Sequence, residues 1–140
     1  MRLRIKRLYP DAKAPEYIHK GDAGLNLFSR EKKNLASGER VLLSTGIAFE
    51  IPEGYVGLVW DRSGLSNKQG LKLLGGVIDA GYRGEIFVGL VNLGREAYTV
   101  NVGDKIAQIL IQPVVSVVLE EVEELSETGR GAGGFGSTGV

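Results

Sequence analysis

One carboxylate set among glycines is the group in this chain best placed to do chemistry. The run Gly75-Gly76-Val77-Ile78-Asp79-Ala80-Gly81-Tyr82-Arg83-Gly84-Glu85-Ile86 delivers Asp79 from an apolar pair into a turn, and a Tyr and an Arg follow before apolar residues resume. Gly75, Gly76, Gly81 and Gly84 admit backbone angles closed to other residues and let a flat ligand lie against the main chain. The stretch reads as a hairpin carrying a site. A plainer explanation competes, because Asp and Gly are ordinary turn residues and a Tyr in such a place is often core.

Two further segments set glycine beside side chains of the phosphate-binding type. They are Arg62-Ser63-Gly64 and the terminal run Arg130-Gly131-Ala132-Gly133-Gly134-Phe135-Gly136-Ser137-Thr138-Gly139. Backbone N–H groups of glycine turns form anion nests, Arg offers planar bidentate donors, and Ser or Thr adds a hydroxyl. Together these groups suit a polyphosphate. No Lys-Ser/Thr pair follows the terminal glycines and no helix opens there, which excludes a P-loop. The glycines sit in no strand-helix-strand unit either, which excludes a dinucleotide fold. By composition alone the terminal run also fits a plain flexible linker.

The elements that must hold these groups are mostly short strands. Residues 3–8 alternate apolar with basic at period two, as a half-buried strand does. Residues 11–21, just after Pro10, hold Pro15 and the single His19 without periodicity, a loop in which His19 is a surface residue. Leu25 and Leu27 alternate in a second strand, with polar groups opposite. Residues 41–51 form one or two strands closed by Pro52-Glu53-Gly54, and residues 55–60 another, with Tyr55 and Trp60 as packing residues. Polar, ending in glycine and lacking β-branched residues, 61–70 is the one short helix. Strands resume at 71–74, 86–92, 98–102, 105–112 and 114–122. About ten short strands at close spacing describe an all-β sandwich or jelly roll. Residues 1–127 form this domain, and residues 128–140 form a glycine-rich tail that stays flexible until a ligand orders it.

Composition narrows the partners. At 140 residues, one core suffices. Lys and Arg number 17 and so do Asp and Glu, so the balanced charge indicates no broad nucleic-acid or anionic-membrane surface. The sequence has no Cys and one His, which excludes disulfides, thiolate sites, thiol nucleophiles and a histidine-rich metal centre. No apolar run approaches the roughly 18 residues that span a bilayer. A cytoplasmic setting fits.

Taken in order, these segments resemble the trimeric dUTPase family. Residues 22–29, Arg62-Ser63-Gly64-Leu65, residues 75–86, Gly103-Asp104-Lys105-Ile106-Ala107-Gln108-Ile109 and residues 130–139 correspond to its five ordered motifs, across nearly the whole chain. The resemblance implies a jelly-roll-like β-barrel of the β-clip type and Mg²⁺-dependent hydrolysis of dUTP to dUMP and pyrophosphate, which supplies dUMP and keeps uracil out of DNA. The main chain at Gly76, Val77, Ile78 and Phe87 would then meet the uracil edge. Tyr82 would pack on the deoxyribose and exclude a 2′-hydroxyl. Asp79 would contact the 3′-hydroxyl and orient the water that attacks the α-phosphorus. Arg62, Ser63, Gly64 and Gln108 would hold the phosphates, with Mg²⁺ bridging them. From the tail, Phe135 and Gly136 would cover the base while Arg130, Ser137 and Thr138 close over the γ-phosphate. Sites would lie between the subunits of a homotrimer.

Two departures stand out. The family has Asp near the metal's water shell where this chain has Asn26, and Asp61 precedes Arg62 where Pro is common. Asp61 or Asp22 could restore the missing charge near the metal. Further alternatives stay open: dCTP deaminase or a bifunctional deaminase-dUTPase, and a nucleotide-binding relative without turnover. The deaminase family places its catalytic Glu ten residues past the hairpin Asp, where this chain has Gly89. Arg83 and Glu85 could form a structural ion pair, and Lys68 and Lys72 could sit near phosphates or be solvated.

Overall fold

Arg40–Glu50 (β4) and Glu85–Asn92 (β8) pair antiparallel at the centre of the protein. A computed structural model describes residues 1–139; Val140, the last residue assigned to the tail, lies outside the described residues. The other strands are Arg4–Arg7 (β1), Leu25–Phe28 (β2), Lys33–Leu35 (β3), Tyr55–Trp60 (β5), Leu71–Leu74 (β6), Val77–Ile78 (β7), Tyr98–Val100 (β9) and Lys105–Pro113 (β10), with one helix, Ser63–Gln69 (α1). They form a four-stranded sheet β1-β4-β8-β6, a second of order β2-β10-β5-β7, and the pair β3-β9. The sheets close on one core built from Leu27, Leu43, Phe49, Ile86, Val88, Ile106 and Ile109, all fully or almost fully buried. This is the all-β, jelly-roll-like architecture expected from the strand spacing, and α1 is the one helix among the described residues.

No two consecutive strands lie in the same sheet. Each connection passes from one sheet to another, which corrects the hairpin expected around Asp79: β7 pairs with β5 and β8 pairs with β4 and β6, so residues 79–84 arch from one sheet to the other. Local pattern does not reveal this, because a strand's period records its buried face and not its neighbour. Of the four glycines in the 75–86 run, Gly75 and Gly76, which join β6 to β7, take positive φ, 72° and 123°.

Other expectations need correction. β1 is exposed along its length instead of half-buried: it is an edge strand, with Ile5 43% exposed. In β2, Asn26 and Phe28 are buried beside Leu27, so no polar face remains. β3 was not expected, being three residues long. Trp60 is 54% exposed instead of core. Residues 114–122 form no strand; they are exposed throughout, and the Val114 N–H donates to Gly54 O at 2.9 Å. β-branched residues favour a strand, but a ladder needs a neighbour, and among the described residues this segment has none.

Candidate active site

Asp79 sits where β7 ends. Its carbonyl accepts the Tyr82 N–H at 3.1 Å, closing a turn, and its exposed carboxylate has no protein partner among the described residues. Val77, Ile78, Asp79, Tyr82, Glu85 and Phe87 line a recess of about 240 Å³. Tyr82 reaches across Gly84 and donates its hydroxyl to Glu85 O at 2.8 Å, and a β-carbon on Gly84 would collide with the phenol. The ring's place is therefore fixed. Apolar walls, an aromatic edge and one free carboxylate make a slot for a flat, partly polar ligand.

A second recess, about 510 Å³, is lined by residues that include His19, Asp22, Asn26, Arg62, Ser63, Gly64, Lys105 and Gln108. Three of the expected motif segments thus meet at one place. β10 brings Gln108 opposite Trp60 of β5, and Gln108 Nε2 donates to Asp61 O at 2.9 Å. Arg62 precedes α1 and donates weakly, at 3.5 Å, to Lys105 O. Cations and exposed loop N–H groups suit phosphates. Lys105 and His19 were not among the expected ligands; Lys105 lies inside the fourth motif segment, which was the available signal, whereas nothing local marked His19.

Several of the expected residues have partners within the chain. Asp61 accepts the Leu73 N–H at 2.6 Å and pairs with Lys72, so its carboxylate clasps β6 to the β5–α1 turn and is not free for a metal. Lys72 is accordingly paired, while Lys68 is exposed. Asp22 Oδ2 accepts the N–H groups of Ile18 and His19 at 3.2 and 2.9 Å, holding its own loop. Asn26 is buried, and its Nδ2 donates to Glu16 O at 3.2 Å. Arg83 and Glu85 do not pair: Arg83 donates to Ala80 O and Tyr82 O, and Glu85 accepts from Ser44 and Gly46.

The two recesses do not merge within one chain. Register places Ile78 beside Gly57, so Asp79 projects near Val56, six residues before Arg62 along the β5 direction. At roughly 3.3 Å per residue that is about 20 Å, too far for one triphosphate to touch both ends. The tail lies apart from each recess: Arg130 turns back on Gly133 O at 2.7 Å, and Phe135, fully exposed at φ 48°, lines neither.

A β fold with cations and loop N–H groups in one recess and an aromatic slot with a lone carboxylate in the other defines a class of protein suited to a phosphorylated ligand with a flat ring. Comparison with known proteins narrows that class. The sequence profile described as dUTPase matches residues 10–139. The chain is 51% identical over 139 residues to the deoxyuridine 5′-triphosphate nucleotidohydrolase of Clostridium tetani, covering 98% of this chain and 96% of that one. It is 50% identical to the enzyme of the same name from Nautilia profundicola, covering 99% of each. A Staphylococcus bacteriophage 80alpha dUTPase solved with dUPNHPP superposes with a TM-score of 0.94 at 36% identity over 99% of both chains. A mutant dUTPase of S. aureus phage phi11, described with a coordinated structural Mg(II) ion, superposes with a TM-score of 0.83 at 35% identity, covering 89% of this chain and 98% of that one. The chain belongs to the dUTPase family.

Proposed function

We propose that this protein hydrolyses dUTP to dUMP and pyrophosphate, with Asp79 as the catalytic base. The free Asp79 carboxylate beside the Tyr82–Phe87 slot carries the reading. The base would lie in the slot against the main chain of Gly76, Val77, Ile78 and Phe87, with the sugar on the Tyr82 ring. Asp79 would hold the attacking water, in line with the α-phosphorus, and accept its proton. Arg62, Ser63, Gly64, Lys105 and Gln108 would hold the phosphates through donors already in place, which stabilises developing charge without reorganisation.

Because the recesses stand about 20 Å apart along one strand, each site needs the Asp79 arch of one copy and the cationic recess of another. A homotrimer closes such a ring of equivalent contacts. Arg130, Phe135, Gly136, Ser137 and Thr138 would then come over the nucleotide from the tail and exclude water.

The donor set bears on Mg²⁺. Among the described residues no group of three His, Asp or Glu side chains could cage a metal. Asp61 is engaged with Lys72, while Asn26 Oδ1 and Asp22 Oδ1 remain as oxygen acceptors of the cationic recess. That set fits an ion carried in on the phosphates with its water shell largely kept, the usual habit of Mg²⁺. Bound so, the ion would offset phosphate charge and fix the curl of the triphosphate. A free nucleotide substrate also agrees with a cytoplasmic site of action, and no helix among the described residues is long and apolar enough to cross a membrane.

Deamination of dCTP is disfavoured by Gly89, which is buried in the β4-β8-β6 sheet between Leu42 and Leu74, where no proton-shuttling side chain stands. The test incubates the protein and Mg²⁺ separately with dUTP, dCTP, dTTP and UTP, following pyrophosphate, ammonia and monophosphates. Pyrophosphate from dUTP alone, lost in Asp79→Asn, upholds the reading. Ammonia from dCTP, or binding without turnover, overturns it.

A further inference from the structure

Behind Tyr82 lies a chain of polar contacts that reaches the opposite side of β4. The β4–β8 register slips between Ser44 and Ala48, leaving a bulge centred on Gly46, whose φ is 69°. Glu85 fills it. Its Oε1 accepts the Gly46 N–H at 2.8 Å and the Ser44 hydroxyl, while Thr45 Oγ1 donates to Ile86 O at 2.6 Å. Bulges re-aim the strand beside them, and here the strand re-aimed is the foot of the Asp79 arch.

Arg30 completes the chain. Its Nη1 donates to Ser44 Oγ at 3.1 Å, which leaves the serine proton directed at Glu85. Its Nε and Nη2 fork onto the Asp11 carboxylate at 3.1 and 3.3 Å, and its guanidinium lies over the Tyr9 ring, 3.7 Å from the centroid. The Arg30 stem occupies the space a side chain at Gly46 would need. Nothing in the proposed chemistry uses Arg30, Ser44 or the Glu85 carboxylate. Yet Glu85 O is the acceptor of the Tyr82 hydroxyl, and Glu85 lines the same recess.

We propose that Glu85, gripped by Ser44 and Arg30 through the β4 bulge, is a positioning residue that fixes how closely Tyr82 approaches the sugar and so sets discrimination between deoxyribo- and ribonucleotides. The inference rests on the reading of the Asp79–Tyr82 recess as the nucleoside slot. A 2′-hydroxyl is rejected only by a wall that does not yield. Tyr82 itself is exposed and held by one hydrogen bond to a backbone carbonyl, so that wall is as stiff as the segment carrying the carbonyl. Charge-assisted contacts stiffen it: Asp11, Arg30 and Glu85 alternate in sign with Ser44 between the last two.

The experiment compares wild type with Ser44→Ala, Glu85→Ala, Glu85→Gln and Arg30→Met as full chains. Two ratios are read: kcat/KM for dUTP over UTP, and affinity for dUMP over UMP by calorimetry. Glu85→Gln keeps an acceptor oxygen for Ser44 and Gly46 but loses the charge, so its ratios should fall between those of wild type and Glu85→Ala. Ser44→Ala, Glu85→Ala and Arg30→Met should narrow both ratios, by about tenfold if a hydrogen bond's worth of restraint is lost. Val100→Ala, a core truncation in the β3-β9 pair, controls for lost stability and should leave the ratios unchanged. Unchanged ratios in folded Ser44→Ala and Arg30→Met would overturn the proposal. If wild type turns over no nucleotide yet prefers dUMP to UMP, the hydrolase reading fails while the binding ratio still decides this one.

Discussion

Gln108 Nε2 donates to the carbonyl of Asp61 at 2.9 Å, while the Asp61 carboxylate accepts the Leu73 N–H at 2.6 Å. A single residue therefore ties the fourth motif segment on β10 to the turn before Arg62 and to β6. Asp61→Asn keeps an acceptor for Leu73 and loses only the pairing with Lys72, whose side chain is half exposed. Its stability should change by less than about 1 kcal/mol, and its Mg²⁺ dependence not at all. Asp61→Ala strands the Leu73 N–H and should lose about 1–3 kcal/mol in denaturant titration, with a raised KM for dUTP. Altered Mg²⁺ dependence in Asp61→Asn would return the carboxylate to the metal.

Asn26 gives a prediction with two opposed parts. Its amide donates to Glu16 O inside the buried β2 segment, a bond that a carboxylate cannot make. Asn26→Asp would set two acceptors against each other and should lower stability by about 1–3 kcal/mol. The new charge would lie in the cationic recess, so half-saturation by Mg²⁺ should fall. Titrating Mg²⁺ against activity and denaturant against fluorescence checks both parts. A variant of unchanged stability would mean that the Glu16 contact holds nothing.

The strands and the helix were legible in the sequence where punctuation is local. Pro52-Glu53-Gly54 closes β4 and Gly70 closes α1. Sheet membership was not legible, because it depends on partners far away in sequence: β4 meets both β1 and β8, and β7 leaves β8 altogether. Trp60 has strand propensity and apolar area, and only its outward register on β5 makes it exposed. The motif residues fared alike. Arg62, Ser63, Gly64 and Gln108 do gather in one recess, and Tyr82 and Phe87 stand with Asp79 in the other. Their division into two half-sites came only with the register of β5 and β7, and the Asp61–Lys72 pair only with the packing of β6 on the α1 turn.

The Asp11–Arg30 pair sets a pH dependence whose sign is fixed. Hydrogen bonding from the Arg30 guanidinium holds the Asp11 carboxyl below its ordinary value of about 3.9. A carboxyl with a lowered folded-state pKa adds stability that is fully present above the unfolded value and is lost as pH falls through the folded one. Stability measured from pH 6 to pH 2 should therefore decline below about pH 4, and Arg30→Met should flatten part of that decline. Equal slopes in the two proteins would show that the pair contributes nothing.

Complementation between two dead variants tests whether the site is shared. Asp79→Asn leaves the cationic recess intact, and Arg62→Met leaves the arch intact. Each should be nearly inactive alone. In a co-refolded equal mixture, an Arg62→Met copy can offer its Asp79 to the Arg62 of an Asp79→Asn copy, and random assembly makes about one interface in four complete. Activity should return to about a quarter of the wild-type level when each site draws on two copies. A mixture as inactive as its parts would place Asp79 and Arg62 in the same chain's site, against the roughly 20 Å that β5 puts between them.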